Sequence, residues 1–123
     1  MSAFSDRYGM TEDEARQILF TETQARRREV GLDTLNLLTR HPNLDGTAQE
    51  HARDMAERAY FGHTSPEGVT AAQRVQASGF FGSFHGENVG LGYGSPQQVV
   101  EAWMRSPGHR ANLLRADATH IGL

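Results

Sequence analysis

A chain of 123 residues suits a single domain, and with no cysteine it excludes disulfides, thiolate nucleophiles and cysteine-ligated zinc. Hydrophobic residues make up 37% and charged residues 22%, which is polar for a globular chain yet outside the disordered range; a net charge of −3 supplies no basic field for nucleic acid. No apolar run approaches the ~20 residues of a membrane span, and the opening "MSAFSDRYGM" lacks the apolar segment of a signal peptide.

Residues 1–10 read as a flexible N-terminal segment, and a domain is expected over 11–123. Within it, helix starts carry one device four times: a Ser or Thr followed three residues later by Glu or Gln, so that cap and side chain satisfy each other's backbone donors. Thr11 with Glu14 opens the first helix, with Ala15, Ile18 and Leu19 as its apolar stripe and Gly31 as its end. Its second half carries Arg26-Arg27-Arg28 between Glu22 and Glu29, and reads as a solvated face. Thr47 with Glu50 opens "TAQEHARDMAERAYF", where Ala48, Ala52, Met55, Ala56 and Ala59 recur at helical spacing. Thr70 with Gln73 opens a short helix that stops at Gly79. Ser95 with Gln98 opens the last, with Pro96 at its first position and Val99, Val100, Trp103 and Met104 on one side.

Strand signals are few. "ENVGLGY" (87–93) alternates weakly, and "THIGL" (119–123) starts like a strand that would lie beside it. Between them and the third helix, "GFFGSFHG" is a loop carrying Phe80, Phe81 and Phe84, read as core residues with an apolar binding surface as the other option. The pattern is α+β with too few strands for a sheet of its own.

The chemistry-bearing residues are ambiguous one by one. His41 precedes a proline in a loop and reads as exposed. His51 lies near a helix stripe, where a satisfied core histidine is the simplest reading, and His120 leads the terminal strand. His63, in "FGHTSPEG", follows a helix end, where an imidazolium could favour the helix dipole. His109 sits in the Pro-Gly turn of "SPGHRANLL", where Asn or Asp would serve a turn better. Glu87 and Glu101 alone read as solvated carboxylates. His85 with Glu87 forms an H-x-E pair, but no Cys-x-x-Cys accompanies it and no H-E-x-x-H is present.

Taken together, "YFGHTSPEG", "GENVGLGY", "VVEAWMRSPGHRANLL" and "HIGL", in this order and spacing, resemble the CAP superfamily. This is the family of cysteine-rich secretory proteins, antigen 5 and pathogenesis-related 1 proteins, also called the SCP domain. "GLDTLNLLTRHPNLDGTAQEHARDMA" fits its second-helix region, and the cysteine-free form is similar to the bacterial branch. The resemblance implies an α-β-α sandwich with a small antiparallel sheet. It also implies a cleft holding His63, Glu87, Glu101 and His109. Two departures stand out: Gln24 occupies a position where the family often has Asn, and the family domain continues past "HIGL" while this chain ends at Leu123, so C-terminal strands are expected to be missing. An open strand edge would invite an edge-paired or swapped oligomer.

Neutral imidazoles suit zinc and similar ions, so His63 and His109 are the candidate ligands for a divalent metal, zinc first. Glu87 and Glu101 would orient them. The competing reading is a hydrogen-bonded polar network that binds nothing. Three functions stay open: a secreted module binding a small ligand or protein, extracellular or periplasmic by resemblance; a metal-assisted hydrolase with Glu87 or Glu101 as base; and a lipid or sterol carrier using the phenylalanine loop.

Overall fold

The structure, a computed structural model, describes residues 2–32 and 37–123. Its helices in chain order are α1 (Ala3–Tyr8), α2 (Glu12–Glu29), α3 (Pro42–Arg58), α4 (Ala71–Ala77), α5 (Pro96–Met104) and α6 (Pro107–Leu113); β1 (Thr39–Arg40) and β2 (His120–Ile121) are its strands. Positions 33–36 of the "GLDTLNLL" stretch lie outside the described residues. By their internal contacts the residues form two compact units, Met1–Leu37 with Gly90–Ala116 and Leu38–Val89 with Asp117–Leu123.

The first unit is helical. Where a flexible segment is expected, α1 forms, because Ser2 caps it (Oγ accepts from Ser5 N at 3.1 Å) and Gly9 turns left-handed at φ +70° to end it. The Thr11–Glu14 box opens α2 as expected, with bonds of 3.1 and 3.3 Å. Gly31 closes it: at φ +85° it lets Leu32 N reach Arg27 O (2.8 Å) while its own N–H reaches Arg28 O (3.0 Å). α2 packs mainly on α5, which in turn packs on α6. Ala15, Val100 and Leu113 are buried there, and Val100 is sealed completely.

Arg27 corrects the expectation of a solvated arginine face. Arg26 does lie near the surface, pairing with Glu29 at 3.8 Å, but Arg27 is 0% exposed. Its Nη1 donates to the carbonyls of Leu113 and Arg115, 2.9 Å each. Those carbonyls lie at and beyond the end of α6, where a helix leaves acceptors without internal donors. A buried guanidinium supplies the donors.

α6 forms where the sequence reads as a turn. Pro107 sits at its first position, where the missing N–H costs nothing, so the Pro-Gly pair starts a helix of seven residues. His109 is therefore a first-turn helical residue. The stretch 87–93 carries no strand.

In the second unit, β1 and β2 pair in parallel, Thr39 opposite His120 and Arg40 opposite Ile121. This replaces the expected antiparallel pairing and the expected partner of "THIGL". Polar side chains of α3 fasten the strand: Asp45 accepts from Leu123 N at 2.9 Å, and Gln49 donates to Leu123 O at 3.0 Å. Gly122 permits the approach, since a Cβ there would overlap the carbonyl of Leu44.

α3 begins five residues before the Thr47–Glu50 box. His41 is its cap, Nδ1 accepting from Asn43 N at 3.1 Å, and Pro42 takes the first position. The alanine stripe is not its buried face: Ala52, Ala56 and Ala59 are exposed, while His51 is 4% exposed. Alanine is cheap in either environment, so its spacing carries little information. His51 is the satisfied core histidine expected, Nε2 donating to Gly62 O at 2.8 Å. The Thr70–Gln73 box opens α4 as expected, and Asn43 Nδ2 donates to Ser78 O (2.9 Å), joining the start of α3 to the end of α4. Phe81 and Phe84 are exposed, against the core reading; Phe80 is half-buried.

Candidate functional site

The segment carrying His63 is held from both sides. At the end of α3, Arg58 grips Asp54 (2.9 and 3.1 Å) and reaches Glu67 with two further bonds of 2.6 Å. The Tyr60 hydroxyl donates to Asp54 at 2.5 Å. The hydrogen bond from Tyr60, then that from Arg58, holds the Asp54 carboxyl below its ordinary range; Arg58 does the same for Glu67. The Tyr60 hydroxyl is pushed up, chiefly because the carboxylate of Asp54 accepts its proton in a hydrogen bond. Beyond His63, a tight turn closes with Ser65 N on Val69 O (3.0 Å) and Gly68 N on Ser65 O (2.9 Å); Gly68 adopts φ +88°.

Arg74 on α4 organises the site. Nη1 donates to the His63 carbonyl at 2.9 Å, and Nη2 donates to Glu87 Oε2 at 2.7 Å. The other carboxylate oxygen, Oε1, lies 2.9 Å from His63 Nδ1. An ionised carboxylate only accepts, so in the neutral imidazole this bond places the proton on Nδ1 and leaves the lone pair on Nε2. The His63 side chain is half-exposed, whereas those of Glu87 and Arg74 are mostly covered. Arginine, carboxylate and imidazole thus form a relay from a fixed cation to an accessible nitrogen base.

The pair opens on a pocket of about 310 Å³. His63, Thr64 and Glu87 form one side; Thr70, Ala71, Ala72 and Phe84 form the rest. One wall is therefore polar and the others are mainly apolar, the usual make-up of a small ligand site.

Of the four residues expected in the cleft, His63 and Glu87 are bonded to one another in the second unit. Glu101 and His109 belong to the first, each with a partner there. Glu101 on α5 is exposed and pairs with Arg105. His109 Nδ1 lies 3.0 Å from Ser106 Oγ, and its ring is 6.4 Å from that of Trp103. Arg74 was not singled out from sequence. It is 13 positions from Glu87, too far for any helical or strand spacing to suggest the pair.

For a metal, the His63 imidazole is a fitting ligand: a carboxylate behind Nδ1 is the usual support for a histidine that coordinates through Nε2. Among the described residues no group of three or more His, Cys, Asp or Glu side chains is gathered to hold an ion. The donor set fits a labile ion shared with water or ligand better than a closed structural centre.

An α+β chain with a histidine–glutamate pair beside "GHTSP" and "GEN" defines an SCP-type domain. The profile of the CAP family, described as the cysteine-rich secretory protein family, matches residues 21–123, and the chain belongs to that family. It is 36% identical over 101 residues to the protein YkwD of Bacillus subtilis strain 168, a match covering 82% of this chain and 38% of that protein. It is also 36% identical over 73 residues to the membrane protein YlbC of the same strain, covering 59% of this chain and 21% of that protein. The chain thus spans well under half the length of either relative. Among solved structures it is similar to an extracellular protein containing a SCP domain from Bacillus anthracis strain Ames, with a TM-score of 0.79, 29% identity, and coverage of 92% of this chain and 39% of that one. It is also similar to an outer surface protein of Borrelia burgdorferi, with a TM-score of 0.72, 25% identity, and coverage of 92% and 81%. The fold class is the α-β-α type of this family. Among the described residues no helix is long and apolar enough to cross a membrane.

Proposed function

We propose that this chain is an extracellular binding module whose pocket at His63 and Glu87 takes a ligand together with a divalent cation, zinc first. The observation that carries the reading is the 2.9 Å bond between His63 Nδ1 and Glu87 beside an accessible pocket. It presents Nε2 as a ligand and supplies the carboxylate that supports such a ligand. The extracellular setting draws on the SCP-domain protein of Bacillus anthracis and the outer surface protein of Borrelia burgdorferi. The resemblance to the family names His109 and Glu101 as further candidates, and the titration below tests each by substitution. A bound cation would polarise a ligand oxygen and anchor it, while the apolar wall selects its body.

Of the two candidate bases, Glu87 already accepts one bond on each oxygen, from Arg74 and from His63, which favours a supporting role for it over that of a general base. A general base needs an oxygen that can reach a water. Calorimetric titration with zinc, calcium and magnesium tests the proposal. Zinc should bind most tightly, and His63→Ala and His109→Ala should each remove most of that affinity. Glu87→Gln should weaken it on the order of 10- to 100-fold, and Glu101→Gln should have less effect. Zinc affinity unchanged in the His63→Ala/His109→Ala variant would remove the metal from the function.

A further inference from the structure

The phenylalanine loop is built to hold one side chain out. Phe80 is pinned: its ring packs edge-on against His41 and His120, with centroids 4.9 and 5.6 Å away. Its ring also lies over Gly82, where any Cβ would overlap it. Gly79 starts the loop at φ +83°. With its neighbours fixed in this way, Phe81 is 104% exposed, the most exposed large hydrophobic side chain described. Between Arg74 and Glu87 there is no Asp, Glu, Lys or Arg, so covering the loop desolvates no fixed charge.

The same loop supplies a wall of the pocket. Phe84, three positions on, lines it with Ala71 and Ala72. Its volume of about 310 Å³ lies at the small end for ligand sites and suits one aromatic side chain.

The geometry points to a second copy of this chain as the partner of the surface: Phe81 of each protomer fills the Ala71–Ala72–Phe84 pocket of the other. Knob and hole share one loop, so a two-fold axis through this face seats both knobs at once and closes the assembly. A phenylalanine buries roughly 150–250 Å². Two of them with their rims stay near or below the ~1,200 Å² of stable interfaces, so the dimer is weak and reversible. The inference rests on the pocket of the proposed function but needs no metal. Dimer and ligand compete for one space, and dissociation opens the site.

Analytical ultracentrifugation of the whole chain from about 10 µM to about 1 mM tests it. Wild type should pass from monomer towards dimer across that range. Phe81→Asp, at a fully exposed position, should stay monomeric, its dissociation constant raised on the order of tenfold or more. Ala72→Trp, at an exposed position, should fill the hole and also stay monomeric, with circular dichroism showing both variants folded. An equimolar mixture of the two should dimerise more than either alone, because one supplies the knob and the other the hole. Wild type monomeric throughout, Phe81→Asp dimerising like wild type, or a mixture with no gain would each overturn the inference. So would a monomer that floats with phosphatidylcholine vesicles through Phe81, which would assign the surface to lipid. Zinc calorimetry reports on the metal independently, so each reading can fail without the other.

Discussion

Arg27 provides a direct measure of what holds the first unit together. Its guanidinium is sealed from solvent, and Nη1 donates to Leu113 O and Arg115 O at 2.9 Å each. Burial pushes its pKa below the ordinary arginine value, yet arginine starts so high that the group stays charged at any working pH. A hydrogen bond from a charged donor contributes about 1.5–3 kcal/mol. Arg27→Ala removes both, leaves the two carbonyls facing a void, and should cost about 3–5 kcal/mol. Arg27→Met keeps much of the volume without the donors and should cost about 2–4 kcal/mol, so the difference between the variants isolates packing. Arg27→Lys retains the charge but not the fork geometry and should fall between wild type and methionine. Urea denaturation followed by circular dichroism measures all three, provided the slope of the transition stays that of wild type. A loss below about 1 kcal/mol for alanine, or a methionine variant as stable as wild type, would refute the reasoning.

Acid should loosen the clasp at the end of α3. The Asp54 and Glu67 carboxyls titrate below their ordinary range in the folded chain, so the ionised form is the one that Tyr60 and Arg58 hold. Their stabilisation is fully present above the unfolded value of about 4 and is lost as pH falls through the lower folded values. The urea midpoint should therefore drop between about pH 5 and pH 2.5, and drop less in Asp54→Asn/Glu67→Gln; parallel profiles would disprove it. Gly122→Ala should force β2 away from Leu44 and cost about 2–3 kcal/mol by thermal melt, with an unchanged Tm counting against the close approach.

The parts of the fold that were legible are those where a local bond leaves a local trace. Thr11, Thr70 and Ser95 each cap a helix because the interaction spans three residues, and Gly31 announces a left-handed exit from α2. The same trace misleads at Thr47, where the pattern occurs inside a helix that His41 and Pro42 had already started. α6 escaped notice because its Pro-Gly opening looks like a turn and seven residues show little periodicity. Arg27 escaped because what distinguishes it from Arg26 is an acceptor 86 positions away. The His63–Glu87 pair spans 24 positions, and only the family pattern joined them in advance. No pattern pointed to Arg74, which holds Glu87 in place.

The order in which the two units draw on the chain has a consequence for synthesis. Each unit is assembled from segments separated by part of the other: the first needs residues up to Ala116, and the second needs Asp117–Leu123. The bond from Leu123 N to Asp45 spans 78 positions, and that from Arg27 to Leu113 spans 86. A nascent chain emerging from the ribosome therefore displays α2 and α3 long before either can complete its contacts. The long closures that bring Leu113 to Arg27 and Leu123 to Asp45 fall due almost together, whereas the contacts among residues 63–87 close within one continuous stretch. Until then both units stay incomplete, so a chain that stalls before Ala116 leaves surfaces uncovered that the finished units bury.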